Sequence, residues 1–324
     1  MTVTLAATTP VTRRIRAYFA PVNRAAVAPT IFDAAQSGTF ALNTPPAPWI
    51  DLGWCTNFAR KTGTKVSALQ SGTPAIAQAQ MRTEIDATVS LQFEAWGKLQ
   101  LALAAGSQQM NLLATVTGAI SNGSGGTAII ATPLLPDGSS TAAQLSIGVT
   151  AAAAFAIGSL IAVDIDYTGQ TGFVGSGISA AYVRSSGAVN GDANYIRRVT
   201  LNVARVTGNV AGVLQLASEL PAGVPAAVMK VSPLTGFVDR EGGSFFQEWS
   251  GLFVYEGEQG DRVIFHYPRL QAMQGSAESL EALAGPFNQV RLAGAFRALP
   301  VKDANDGEMV LCFRSYLPAA SRAI

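Results

Sequence analysis

The sequence predicts a mainly β fold: two packed antiparallel sheets, sandwich- or barrel-like, with one or two short flanking helices. Three observations lead there. Residues 249–256, 262–268, 287–299 and 308–316 alternate apolar and polar side chains with period two. Turn signals separate these runs, Gly257-Glu258-Gln259-Gly260 in one loop and Asp306-Gly307 in another. Charge is sparse at 13 %, and Ala, Gly, Thr, Ser and Val suit strands, tight turns and close subunit contacts better than long helices.

The first 48 residues read as an irregular arm ending in Asn43-Thr44-Pro45-Pro46-Ala47-Pro48, because Pro removes backbone donors and favours extended chain. They hold no apolar leader core, and Arg13, Arg14 and Arg16 follow the weakly apolar part, the wrong order for a signal peptide. Residues 49–324 are expected to be one β-rich domain. A first strand covers 49–58 and a second 82–93, where Ile85, Ala87, Val89 and Leu91 oppose Glu84, Asp86, Thr88 and Ser90. Residues 60–80 between them are polar and without period, which predicts a hairpin with a long loop.

A helix is expected at 94–105, with Phe93, Trp96, Leu99 and Leu103 on one stripe and Gly106 to close it. Between Lys98 and Asp164 the only charge is Asp137, so residues 108–235 read as a possible inserted or elaborated region, its sparse charge favouring burial over a solvated linker. Residues 151–163 are apolar but lack the Leu/Phe density and the flanking anchors of a membrane span, so a buried strand running into 160–167 is expected. A further strand is read at 195–206, ending before Gly208, and a short helix at 276–284, capped by Ser276 and stopped by Gly285-Pro286.

Catalytic chemistry is thin. Asp164 and Asp166 lie about 7 Å apart on one strand face. Such a pair suits glycoside hydrolysis or a divalent cation. With no other acid or histidine nearby in sequence, a solvated face or an inter-subunit ion pair is the preferred reading. Asp239, Arg240 and Glu241 read as a charged turn before Gly242-Gly243. His266 is the only histidine, which excludes multi-histidine metal sites, and no G-x-S-x-G elbow accompanies it. Gly175-Ser176-Gly177-Ile178-Ser179-Ala180 fits a dinucleotide fingerprint, but no convincing helix and no ribose-binding acid is read in place after it, and Asp192 in Asn-Gly-Asp reads as a turn. Cys55 and Cys312 read as buried free thiols rather than a disulfide. A net charge of +1 and dispersed basic residues, Arg197-Arg198 among them, argue against a nucleic-acid-binding surface. No cofactor is expected.

Several stretches carry a family resemblance: Trp49-Ile50-Asp51-Leu52-Gly53-Trp54, the run SLQFEAWGKLQLAL at 90–103, Gly236-Phe237-Val238-Asp239-Arg240-Glu241-Gly242-Gly243, and DANDGEMVLCFRSY at 303–316. Over about 49–107 and 236–317 the chain resembles the major tail tube proteins of long-tailed bacteriophages and prophages. The resemblance implies a non-enzymatic virion subunit, assembled in the host cytoplasm. Six copies would close into a ring, and rings would stack into a tube. Other tail proteins, such as the tape measure and the tail terminator, would be its partners. DNA would pass without specific binding, and no membrane is involved. Stacking contacts are then expected from the 60–80 loop, at Arg60, Lys61, Lys65, Gln70, Thr73 and Gln78. The polar strand face Glu84, Asp86, Thr88 and Ser90 becomes the candidate lumen lining. Two other classes stay open: another virion or surface assembly protein, such as a head decoration or adhesion protein, and a carbohydrate-active enzyme using Asp164 and Asp166.

Overall fold

A computed structural model describes residues 15–22, 29–46, 48–106, 108–120, 126–136, 139–165, 201–227, 229–240, 248–257, 260–273 and 292–319. In chain order the elements begin with β1 (Ile15–Pro21), α1 (Ala34–Ser37), β2 (Ile50–Ser71), β3 (Ile76–Phe93), α2 (Lys98–Ala105), β4 (Gln108–Leu113) and β5 (Thr132–Pro133). Next come β6 (Gln144–Ser146), α3 (Val149–Ala152), β7 (Leu160–Ile165), β8 (Val203–Val210), β9 (Val213–Leu216) and β10 (Met229–Arg240). The last are β11 (Glu248–Glu256), β12 (Arg262–Ala272), β13 (Leu292–Ala298), β14 (Val301–Lys302), β15 (Met309–Val310) and β16 (Phe313–Leu317). Among the described residues the fold is mainly β, with two seven-stranded antiparallel sheets, a two-stranded ladder of β14 and β15, and short helices.

The first sheet closes on itself. Its path runs β11-β1-β2-β3-β13-β12, and β12 pairs again with β11 from Glu256↔Arg262 to Glu248↔Gln271. The result is an antiparallel barrel with β16 appended to the free half of β12, at Arg262–His266. Closure removes the sheet edge that an open sheet of this size would leave. Alternation along each strand sends one row inward: Phe19 meets Phe253 at 5.8 Å and Phe296 at 5.4 Å between ring centres, with Phe93 and Tyr267 beside them. The other row faces out. Over β1, β11 and β12 it is apolar as well, and residues 29–46 lie across it, so Tyr18, Ala20, Trp49, Leu252, Val254 and Ile264 form a second, separate cluster under Phe32, Phe40 and Leu42.

This corrects the N-terminal reading. Residues 1–48 were expected to be an arm, but Ile15–Pro21 is a barrel strand between β11 and β2, with Ala17 and Phe19 fully buried. Among the described residues of this stretch, 29–46 lies on the barrel surface. Arg16 clamps β1 to β2, its Nε donating to Asp51 Oδ1 at 3.0 Å, its Nη2 to Oδ2, and its guanidinium over the Trp54 ring at 5.2 Å.

The second sheet is built from 108–240, in the order β4-β10-β7-β8-β9-β6, with β5 on β10. Helix α2 joins the two sheets. Leu99 and Leu103 enter the main cluster, Lys98 Nζ donates to Asn111 Oδ1 at 2.6 Å and sits 5.5 Å from the Phe237 ring centre, and Gly106 ends the helix at φ +60°. The helix starts later than expected because Gly97 is extended. That one apolar cluster includes Val231 and Leu214 of the second sheet with Val89 and Phe253 of the barrel, so the sheets share a core. Strand β8 runs through Gly208 instead of stopping before it. The expected helix at 276–284 lies outside the described residues.

The β8–β9 hairpin turns on Ala211 and Gly212, at φ +52° and +86°. Positive φ at both central positions is the two-residue turn that matches strand twist. Gly212 has no alternative, since a Cβ there would strike Gly148 and Val149 backbone. Ala211 carries the strain of a left-handed β-carbon. Ala211→Asn is therefore expected to stabilise the chain by about 0.5–1 kcal/mol, read as a raised urea midpoint with unchanged slope.

Candidate assembly surface

Strands β2 and β3 outrun the barrel. They span 22 and 18 residues. Strand β1 accompanies β2 only to Cys55, and β13 accompanies β3 only to Thr88. Beyond Thr62↔Ala87 the two pair only with each other, out to Ser71↔Ile76, and both outer edges are unpaired among the described residues. This ribbon reaches about 30 Å past the barrel at strand rise. The expected long loop at 60–80 is thus corrected: it is the continuation of both strands, reversing at 72–75.

The ribbon's root is fixed. Asn57 takes φ +52° at a break in the β2–β3 register and its Nδ2 donates to Gln92 Oε1 at 2.8 Å, an amide tolerating the bulge. Arg60 lies over the rings of Phe265, at 4.5 Å, and Tyr267, at 5.7 Å, and its Nε donates to the Tyr267 hydroxyl. Arg60, expected among the contact residues, is half-buried there and anchors the ribbon's root. Burial pushes the Tyr267 hydroxyl up to about 12.

Lys61, Lys65, Gln70, Thr73 and Gln78 are all exposed along the ribbon. Lys65 pairs with Glu84 across the strands. Sequence reasoning missed the apolar residues among them: Val66, Leu69, Ile76, Met81 and Ile85 are each more than half exposed. The register sets Met81 opposite Ser67, Ala79 opposite Leu69, and Ile76 opposite Ser71, so Leu69, Ile76 and Met81 share a face near the tip. The signal was present as apolar residues inside a segment read as polar.

The expected face holds for the barrel half of β3. Ala87, Val89 and Leu91 are buried while Asp86, Thr88 and Ser90 alternate outward. Ile85 departs from it, being exposed, because the barrel ends at Ala87. Each acid on the outward face has a basic neighbour: Glu84 with Lys65, and Asp86 with Arg297 Nε at 3.4 Å.

Among the described residues the catalytic candidates do not assemble. Asp164 is 1 % exposed in β7, opposite Lys230 in the register, so it lies in no solvated face. Asp166, Asp192, Arg197, Arg198, the 175–180 glycine run and 241–243 lie outside the described residues. His266 is buried among aromatic rings. Cys55 and Cys312 are free thiols, and burial pushes Cys55 up to about 12, too high for a ready nucleophile. Among the described residues no group of three His, Cys, Asp or Glu side chains could hold a metal, and no helix is long and apolar enough to cross a membrane. The sequence matches no protein-family model and no curated protein at a significant level.

Proposed function

We propose that this chain is a structural subunit of a homo-oligomeric assembly, a ring-forming virion protein of the phage tail-tube type. One observation carries the reading: a closed barrel holding out a long two-stranded ribbon whose edges are unpaired among the described residues, with five exposed apolar side chains. A lone ribbon of that kind is marginal in water and is a template for pairing with another chain. Its residues gain partners if neighbouring copies or rings bind it. The Lys61, Lys65, Gln70, Thr73 and Gln78 positions and the Leu69–Met81 face would make that contact.

The Glu84, Asp86, Thr88 and Ser90 face is the proposed channel lining. With Lys65 and Arg297 beside the two acids its net field is weak, which suits DNA that must slide rather than be gripped. An enzymatic reading of Asp164 is disfavoured by its burial, since a glycosidase carboxyl must reach its substrate.

The test is direct. Sedimentation and negative-stain microscopy of the purified full chain should show hexameric rings or tubes. Monomer alone at high concentration, in salt approximating the inside of a particle, would overturn assembly by self-association. Trimers or spikes would move the reading to a decoration or adhesion protein.

A further inference from the structure

The strap at 29–46 has no strand ladder tying it to the barrel. Apart from apolar contact, barrel side chains hold its backbone. Tyr18 Oη donates to the Leu42 carbonyl at 2.7 Å, and Arg262 Nη1 donates to those of Gly38 at 3.1 Å and Phe40 at 2.6 Å. Thr30 N donates to Ser250 Oγ at 2.9 Å, and His266 Nε2 bonds the Thr30 carbonyl at 3.2 Å. Of these tethers only the imidazole changes charge in mildly acidic solution.

Its surroundings admit one state. The ring stacks on Phe313 at 5.8 Å and meets Trp49 at 5.7 Å and Phe32 at 6.4 Å between centres. Among the described residues Nδ1 is buried with no hydrogen-bond partner. With Nε2–H donated to Thr30, the neutral ring satisfies the strap. A second proton would place an unpaired donor and a charge inside an aromatic box. Phe32 and Phe313 also wall a cavity of about 520 Å³ at the strap's root, lined by Asp33, Lys302 and Asp303 as well.

We propose that His266 is an acid-operated latch, whose protonation frees the strap at 29–46 and uncovers the apolar barrel face of Tyr18, Trp49, Leu252, Val254 and Ile264. The closed ring is pushed down to about 4, burial first and the Thr30 bond opposing it. Charged groups on the packed elements are Asp33 on the strap, Arg16 on β1, Asp51, Arg60, Lys61 and Lys65 on β2, Glu248 and Glu256 on β11, Arg262 and Arg269 on β12, Lys302 and Asp303 beside the cavity, and Arg314 on β16. None of them contributes to the shift. A ring exposed by opening regains the ordinary value near 6.5. The open state therefore takes up the proton more readily. Strap closure is fully favoured above about pH 6.5 and weakens as pH falls towards about 4, with opening rising about 20-fold from pH 7 to pH 5.

Hydrogen-exchange protection at the two pH values, in wild type and His266→Phe, tests this. The expected result is strap amides losing about 20-fold protection in wild type and little in the variant. Barrel amides of β3 and β13 should hold in both. Equal loss in both proteins, or none in wild type, overturns the latch. Because the chain has a single histidine, its imidazole resonance decides the matter even if the variant does not fold. A midpoint below about 5.5, moving together with the Thr30 amide, supports the latch. Titration near 6.5 with the strap still protected refutes it.

Discussion

Replacing 64–85 by a two-residue Asn-Gly turn between Gly63 and Asp86 is expected to abolish self-association and leave the barrel folded. Gly63 and Asp86 already face each other in register, so the shortened hairpin keeps the pairs that belong to the barrel. No buried side chain is removed, since every residue from 61 to 85 is exposed. Stability should change by no more than about 1 kcal/mol, and the far-ultraviolet spectrum should lose only the ribbon's share. Association is another matter. Burying the exposed halves of Val66, Leu69, Ile76, Met81 and Ile85 is worth about 1 kcal/mol each, roughly 5 in all. Losing it lowers an association constant by about three orders of magnitude or more. Sedimentation velocity over a concentration series measures this. Normal rings or tubes from the shortened chain would exclude the ribbon as the contact. Leu69→Asp with Met81→Asp should weaken assembly in the same direction without changing the ribbon's length.

Much of the barrel was legible in the sequence because its strands alternate between two different surroundings. In β12, Phe265 and Tyr267 face the lumen of the barrel while Ile264 and His266 face the strap, and period two survives. Strand β1 was not legible for the opposite reason. Ala17 and Phe19 point into the barrel, Tyr18 and Ala20 point under the strap, and a strand buried on both sides has no polar row to reveal it. The ribbon failed as well, since a segment exposed on both faces need not alternate; only cross-strand pairing defines it. Asp164 was read as part of a solvated face or an inter-subunit ion pair from its place in an alternating run, but β7 is an inner strand of a second sheet whose presence nothing local announces. Closure of the barrel depends on β11 meeting both β1 and β12, a long-range fact with no sequence period.

Phe19→Ala should be among the most damaging single changes in the molecule. The ring is fully buried and lies edge-on to Phe253 and tilted against Phe296. Its neighbours in register are Gly251 on β11 and Ile50 on β2. Gly251 offers no side chain to fill a hole, and its own enlargement would strike Leu270. Because hydrogen bonds link the strands around a full circuit, one strand cannot slide inward without breaking pairs on both sides. The cavity therefore stays open, and the loss falls at the high end of the range for such truncations, about 4–5 kcal/mol. Phe19→Leu, which keeps most of the volume, should lose about 1–1.5 kcal/mol. Urea unfolding followed by tryptophan fluorescence and by far-ultraviolet circular dichroism checks both values. The two signals should move together, since the apolar cluster around Phe19 continues into Val231 and Leu214 of the second sheet. A loss below about 2 kcal/mol would mean that the barrel can relax around the hole, and separated transitions would mean that the two sheets unfold independently.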